Sequence, residues 1–450
     1  MKPTESNRPI DIRKISVIGL GKLGAPLAAC LASKGFRVIG VDVDNNRLEL
    51  INQGIPPVFE PGLKELMRSC RGKLSATEDY EEAVKDSEVT FILVPTPSDG
   101  QGAFSLRYVI PACERIGDVL RKKSTFHLVV LTSTVLPGAT GNEIRPVLEQ
   151  RSSKRCGEGF GLCYSPEFVA LGSVVKDLLH PDFVLIGESD ARSGDMLASL
   201  YGNLCENSPL IARMNFVNAE VTKLSVNTFV TTKITFANML ARICERLPGA
   251  NVDVVTSALG LDSRIGKKYM KGALGYGGPC FPRDNLALAF LGRLVGSGAT
   301  LAEATDAANR QEAQRLAGLV KSKLPIDGVV GILGLAYKPD TDVVEESQGL
   351  LLAQLLLAEG ISVSVYDPAG MKNAQKMLGA SVVFAGSAED CLRAADVVVI
   401  ATPWEEFKRI PPRSLSRQSS RRVLVDCWRL LDPEAFGVVV EYVALGVGPT

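Results

Sequence analysis

Short β-branched runs alternate with helical periodicity over residues 13–214 and again over 323–450. Between them, Asn218 to Arg246 contains neither proline nor glycine. Alternation of the first kind builds parallel sheets with helices on both faces, and an unbroken run of the second kind builds one helix. The sequence therefore predicts an α/β chain: two doubly wound, Rossmann-like domains joined by a long central helix. The expected boundaries are 13–214 for the first sheet domain, 215–322 for a central helical domain and 323–450 for the second sheet domain.

The first domain opens with an apolar run, Ile15 to Ile18, that ends in Gly19-Leu20-Gly21-Lys22-Leu23-Gly24. A helical pattern follows to Ala32, Gly35 closes it, and a second strand, Arg37 to Val41, ends in Asp42. Strand, GxGxxG, helix, strand, acid is the arrangement that binds a dinucleotide. Gly19 permits the tight turn, Gly21 lets a pyrophosphate approach the backbone, and Gly24 lets helix pack on strand, while Lys22 and Leu23 fill the variable positions. The phosphates would sit on the helix N-terminus. Asp42 would accept from both ribose hydroxyls and repel a 2′-phosphate, so the expected cofactor is NAD. Arg47 is close enough to lie against the adenine, or it is simply solvated.

Further strands are expected at Val89 to Val94, ending in Pro95-Thr96-Pro97, and at Leu128 to Leu131, ending in Thr132-Ser133-Thr134. Ligands of open α/β sheets collect at the carboxyl ends of strands, so Thr96 and Thr134 should line the cofactor crevice, unless they merely cap the next turn. Leu162 to Tyr164 leads into Ser165-Pro166-Glu167-Phe168. A glutamate at a strand end beside apolar residues is a candidate for a raised pKa, although surface glutamates are commoner.

The central run from Asn218 to Arg246 reads as one helix of about 29 residues, about 43 Å long at 1.5 Å per residue. Glu220, Lys223 and Asn227 share one of its faces, and the plain alternative for the first two is a surface ion pair. Helical sequence continues past Asp253 to Arg264 and meets Lys271–Asp284, KGALGYGGPCFPRD. Here glycines and prolines surround Cys280 just before a helical run, Asn285 to Leu291, with Pro282 suited to a first turn. A cysteine at a helix N-terminus is biased toward thiolate. Its alternative is a buried structural cysteine. The second sheet domain shows strands at Val329 to Leu333, Ile361 to Tyr366, Val397 to Ala401 and Val423 to Val425, and a helix at Gln348 to Ala358. It lacks a full GxGxxG. Pro411 to Arg422, rich in arginine and serine, reads as a solvated loop.

Composition excludes several classes. Lys+Arg and Asp+Glu balance at 50 each, so no global field attracts nucleic acid or an anionic membrane. No apolar run reaches the roughly 18 to 20 residues that span a bilayer, and the N-terminal MKPTESNRPIDIRK is too polar for a secretory signal. Two histidines leave little for a metal centre or a His-based triad. Ten cysteines are spread singly, without CxxC pairs, which suits a reducing, cytoplasmic setting.

These stretches together resemble the UDP-glucose/GDP-mannose dehydrogenase family across nearly the whole chain. The carrying motifs are GLGKLG at 19–24, VDVD at 41–44, EPGL at 60–63, STVLPGAT at 133–140, SPEF at 165–168, AEVTKLSVNTF at 219–229, GYGGPCFPRD at 275–284 and GLAYKPDTD at 334–342. The resemblance implies a four-electron oxidation of a sugar C6 hydroxyl to a carboxylate with two NAD. It implies Cys280 as nucleophile, Lys223 and Asn227 as stabilisers of negative oxygen, Asp284 and Thr134 as positioners of water or a proton carrier, and Glu167 as base in thioester hydrolysis. Glu167 and Phe168 would also meet the substrate, with Lys271, Tyr276 and Gly277 holding it. Tyr337 and Lys338 would reach it from the C-terminal domain and Arg264 from a neighbouring subunit, so at least a homodimer is expected.

Five positions depart from the family pattern: Leu171 for a glutamate, Glu345 for an arginine, Arg283 for a lysine, and Lys22-Leu23 for an aromatic-valine pair. The closest motifs are those of enzymes oxidising UDP-glucose; UDP-N-acetylmannosamine, UDP-N-acetylglucosamine and GDP-mannose are alternatives. Two further rivals are a two-electron dehydrogenase of the hydroxyacyl or 6-phosphogluconate kind, which needs no thiol, and a catalytically dead scaffold.

Overall fold

The computed structural model describes residues 12–99, 101–416 and 421–449. Most of the polar N-terminal segment thus lies outside the described residues, as does 417–420 of the serine- and arginine-rich stretch. The chain forms two compact units, Met1–Leu224 and Ser225–Thr450.

The first unit is built on eight strands: β1 (Lys14–Ile18), β2 (Arg37–Val41), β3 (Leu74–Thr77), β4 (Val89–Ile92), β5 (Leu128–Leu131), β6 (Gly161–Tyr164), β7 (Phe183–Glu188) and β8 (Leu210–Met214). Their order is β3-β2-β1-β4-β5-β6-β7-β8, parallel throughout except between β6 and β7. The order turns back at β1, where β2 pairs on one side and β4 on the other. A crevice for ligand opens at the strand carboxyl ends of such a switch point. Every residue of β4, β5 and β6 is buried, because helices cover both faces; that is why these strands read as continuous apolar runs. One core packs Leu27, Leu31 and Phe91 on one face, and another packs Ile116, Leu131 and Tyr164 on the other.

The second unit carries β9 (Val329–Leu333), β10 (Ser362–Tyr366), β11 (Val383–Phe384), β12 (Val397–Ile400), β13 (Val423–Asp426) and β14 (Glu441–Ala444). They are all parallel, in the order β11-β10-β9-β12-β13-β14. This repeats the order of the first six strands of the other sheet. The same unit holds helices Val252–Leu259, Phe281–Leu294 and Thr300–Lys323. Leu316, Ala317 and Val320 of the last enter the core of the second sheet beside Leu350 and Val365.

The long helix runs from Phe216 to Cys244, two residues earlier than expected at each end. Asn215 Oδ1 accepts from the Asn218 N–H at 2.9 Å, satisfying one of the amides a helix start leaves open. Among the described residues no helix is long and apolar enough to cross a membrane. One expectation needs correction. Pro412–Leu415 is a 3-10 turn, and Arg422 is buried, donating to the carbonyls of Ser414 and Arg393. That arginine anchors the end of the stretch and is not solvated.

Candidate active site

In the first unit the three glycines of the β1 loop do three different things. Gly19 has φ +93°, and a Cβ there would lie 2.6 Å from the Leu93 carbonyl oxygen. A Cβ on Gly24 would lie 1.8 Å from the Gly19 oxygen, so only glycine lets helix Gly24–Ser33 start so close to the strand. A Cβ on Gly21 would meet nothing within 4 Å. That free space above a helix N-terminus is what a pyrophosphate needs. Lys22 is exposed and Leu23 partly buried.

Asp42, at the end of β2, is buried and accepts from Leu20 N at 2.7 Å through Oδ2 and from Asp44 N at 3.0 Å through Oδ1. Arg47 stands 3.4 Å from the same Oδ2 and 3.3 Å from Asp44. The acid is therefore neither isolated nor wholly free for two hydroxyls, as the sequence suggested. It fixes the phosphate loop and retains lone pairs for a ribose. Arg47 is neither simply solvated nor free. These residues fit NAD.

The loops after β4 and β5 are cross-tied, and the loop after β6 is held by Lys223 and Tyr201. Thr96 donates to the Thr134 carbonyl at 2.7 Å, and Ser133 to the Val94 carbonyl at 2.7 Å. Lys223 Nζ donates to the Glu167 backbone carbonyl at 2.6 Å and lies 4.6 Å from the centre of the Phe168 ring. Tyr201 donates to the Glu167 carboxylate at 3.3 Å. Burial pushes the Glu167 carboxyl up to about 7, against the Tyr201 hydrogen bond and the Lys223 charge, which pull it down. Glu220, one turn before Lys223, is buried and accepts from Gly138 N at 2.6 Å and Thr140 N at 2.9 Å. It holds the loop that follows Thr134, a use other than the surface pair. Leu171 packs on the first core.

In the second unit Cys280 is the N-cap residue of helix Phe281–Leu294, which begins four residues before the helical run read from sequence. Of ten cysteines it alone is exposed. Asp284, one turn on and fully buried, donates its N–H to the Cys280 carbonyl at 2.8 Å. Asn227 Nδ2 donates to Asp284 Oδ2 at 2.6 Å, while Arg283 donates to Oδ1 through Nε at 3.1 Å and Nη2 at 3.0 Å. A lysine could not make that two-pronged contact.

Tyr337 lies against Gly278, whose φ is +82° and whose Cβ would come 2.8 Å from the ring. Gly278 N donates to the Glu345 carbonyl at 2.9 Å, so the backbone of that position helps to hold the loop. Lys338 is partly buried and Lys271 exposed. Arg264 is exposed and pairs with Asp262 at 2.6 Å. Gly277 is a glycine for packing, since a Cβ would lie 2.3 Å from the Glu346 oxygen. Tyr276 is also placed differently from expectation. Its ring is buried, Asn285 donates to its hydroxyl at 2.9 Å, and Asn309 engages both its N–H and its carbonyl. Its side chain is part of the floor beneath the loop.

Several residues went unread. Glu60, in the EPGL motif, is buried and accepts from Gly172 N at 2.9 Å and Val174 N at 2.7 Å, holding the segment after Glu167. The motif was a signal without a role. Tyr201, Asn238 and Asn309 lie in ordinary helical sequence, where nothing marks a buried polar side chain. Asp367 ends β10 as Asp42 ends β2.

Three models of one family match the chain in order. They are described as the UDP-glucose/GDP-mannose dehydrogenase family NAD binding domain (residues 13–205), central domain (217–311) and UDP binding domain (331–433). A UDP-glucose 6-dehydrogenase of Haloferax volcanii is 37% identical over 398 residues, 88% of this chain and 92% of that one. A GDP-mannose 6-dehydrogenase of Pseudomonas syringae is 38% identical over 360 residues, 79% and 80% of the two. The structure of a UDP-glucose dehydrogenase from Pyrobaculum islandicum superposes with a TM-score of 0.87 at 33% identity, covering 98% of each chain.

Proposed function

This chain belongs to the UDP-glucose/GDP-mannose dehydrogenase family, and from that premise we propose that it oxidises UDP-glucose to UDP-glucuronate through a covalent adduct on Cys280. The observation that carries this is the exposed thiol at a helix N-terminus, with Asp284 and Asn227 joined beneath it. Oxidising an alcohol to an aldehyde requires no thiol. Carrying the aldehyde onward without releasing it does, because a thiolate adds to the carbonyl and the resulting thiohemiacetal can be oxidised to a thioester. NAD, when bound, supplies the hydride acceptor.

Lys223 and Asn227 are assigned to the negative oxygen of the adduct. Glu167, with its raised pKa, takes a proton from the water that hydrolyses the thioester and frees Cys280. Asp284 and Thr134 position water or a proton carrier, and Tyr337, Lys338, Phe168 and Lys271 hold the sugar nucleotide. The three segments 13–214, 215–322 and 323–450 then divide the work as cofactor, catalytic and nucleotide-sugar domains. None of the ten cysteines is in a disulfide, which suits a cytoplasmic enzyme.

Phe229, Phe236 and Ile243 recur every seven residues on the long helix and are exposed, with Met239 beside them. Such a face suits a two-fold interface through which Arg264 of a second copy would reach the substrate. The second reading is GDP-mannose in place of UDP-glucose as the substrate, since relatives named for each sugar match at 37% and 38% identity.

The test is NADH formation against a panel of nucleotide sugars. UDP-glucose should give two NADH per sugar acid, and Cys280→Ala should bind substrate but form no acid. One NADH per product, or normal acid formation by Cys280→Ala, would favour the simple alcohol dehydrogenase. Sedimentation should give a dimer or larger; a fully active monomer would remove the role of Arg264.

A further inference from the structure

Residues 271–278, just before Cys280, contain no helix or strand. Their backbone is nevertheless fastened from outside at five of the eight positions. Arg429 Nη2 donates to the Gly272 carbonyl at 2.6 Å, and the rest of that guanidinium is held by Asp253 and the Leu445 carbonyl. Asn238, on the long helix, accepts from Ala273 N at 2.9 Å and donates to the Leu274 carbonyl at 2.8 Å. Asn309, on helix Thr300–Lys323, accepts from Tyr276 N at 2.8 Å and donates to the carbonyl of the same residue at 3.0 Å. Gly278 N is taken by the Glu345 carbonyl.

An asparagine amide sets an acceptor oxygen beside a donor NH2, the kind of pair that a neighbouring β-strand would offer. Asn238 and Asn309 are 3% and 7% exposed, so neither bond competes with bulk water. The glycines let the chain press against these partners. A Cβ on Gly275 would lie 2.5 Å from Asn309 Oδ1, and one on Gly272 would lie 2.5 Å from the Ala237 oxygen.

We propose that Asn309 and Asn238 are positioning residues for Cys280, holding 271–278 as a rigid strap that keeps the thiol in one place. The proposal rests on Cys280 being the nucleophile. That role gives the strap its purpose, because one sulfur must meet an aldehyde, carry the adduct through oxidation and release it to water. Each step demands near-attack geometry, and a displacement of about 1 Å can cost about a hundredfold in rate. Loops on their own hold a group less well than helices and strands do. Here buried amides from two helices supply the missing partner.

The experiment uses the full-length protein. Asn309→Asp keeps the acceptor for Tyr276 N but sets a second oxygen against the Tyr276 carbonyl, and Asn238→Asp does the same at Leu274. Four quantities are measured: melting temperature, NAD affinity, the iodoacetamide alkylation rate of Cys280 by peptide mass spectrometry, and kcat with KM for the nucleotide sugar. Both variants should bind NAD within about twofold of wild type, while alkylation shifts at least about fivefold and kcat falls about 10- to 100-fold, more than KM changes. A lower melting temperature with unchanged alkylation and kcat would make the asparagines structural only and overturn the proposal.

Hydrogen exchange in the wild type tests the strap without any variant. The amides of Ala273, Tyr276 and Gly278 should be protected, and rapid exchange there would also overturn it. If Cys280→Ala still forms acid, the nucleophile assignment fails by itself, and the alkylation and exchange results still report on the strap.

Discussion

Glu167 gives this enzyme a pH dependence that can be worked out in sign and size. Burial lifts its carboxyl from an ordinary 4.5 to about 7, although Tyr201 and Lys223 oppose the shift. A group with that pKa is about one-tenth ionised at pH 6 and about nine-tenths at pH 8. If the ionised form activates the hydrolytic water, thioester hydrolysis should rise about tenfold over that interval, with its inflection near 7. Stability should move the other way. The native state keeps a proton that the unfolded chain has released, so Glu167 favours folding below about pH 4.5 and that contribution is lost as pH rises through 7. At about 1.4 kcal/mol per pH unit, the loss is at most about 3 kcal/mol. Glu167→Gln stays neutral, so it should be more stable than wild type at pH 8 by about 1 to 3 kcal/mol and equal to it below pH 4.5. Single-turnover quenching from about pH 5.5 to 9 reads the first effect, since the variant should accumulate a Cys280 thioester, and thermal melts from about pH 4 to 9 read the second. Hydrolysis independent of pH between 6 and 8, or undiminished in Glu167→Gln, would refute the assignment of this residue as base.

Tyr201→Phe removes the hydrogen bond that holds the Glu167 pKa down, so the inflection should move to higher pH; a move to lower pH would contradict the contact. Gly21→Ala should fold as well as wild type but bind NAD weakly, as measured by calorimetry, whereas Gly24→Ala should lose about 1 to 3 kcal/mol or more in denaturant melts, because its methyl meets the Gly19 carbonyl. Asp42→Ala should weaken NAD by roughly a hundredfold and narrow the preference over NADP, at 1.4 kcal/mol per tenfold; wild type using both cofactors equally would refute the role of this acid. Arg283→Lys replaces a fork on Asp284 with a single point, so acid formation should slow several-fold while NAD affinity is untouched.

Much of the framework could be read because burial on both faces leaves a plain trace. β2, β5 and β9 begin and end where the apolar runs do. The unread strands fail for identifiable reasons. β3 buries only Ala76, and β8 buries no residue fully, so neither shows a run or a clean alternation. β7 is apolar yet went unread, and nothing local announces a strand running antiparallel to β6. At the site, Cys280 and the glycines were visible because backbone geometry restricts which residues can stand there. The groups that hold them were not. Asn238, Asn309, Glu220 and Glu60 act on backbone amides or carbonyls remote in sequence, and such a bond leaves no periodicity.

The two sheets show how the same skeleton can carry different duties. At β9, Gly334 has φ +102°, and a Cβ on Gly349 would lie 2.1 Å from the Gly334 oxygen, the same contact that Gly24 makes with Gly19. Asp367 stands where Asp42 stands. Two differences remove the dinucleotide function. Four residues separate Gly19 from Gly24, but fourteen separate Gly334 from Gly349, too many for a tight turn over a pyrophosphate. Asp367 accepts from Leu335 N, Ala336 N and Trp404 Nε1 through Oδ2, and from Ala369 N and Gly370 N through Oδ1. A carboxylate offers about four lone-pair sites, so none is left for a ribose. The acid that keeps lone pairs for a ribose in one sheet is spent in the other on holding a longer loop. That loop sets Tyr337 against Gly278, two residues from the thiol.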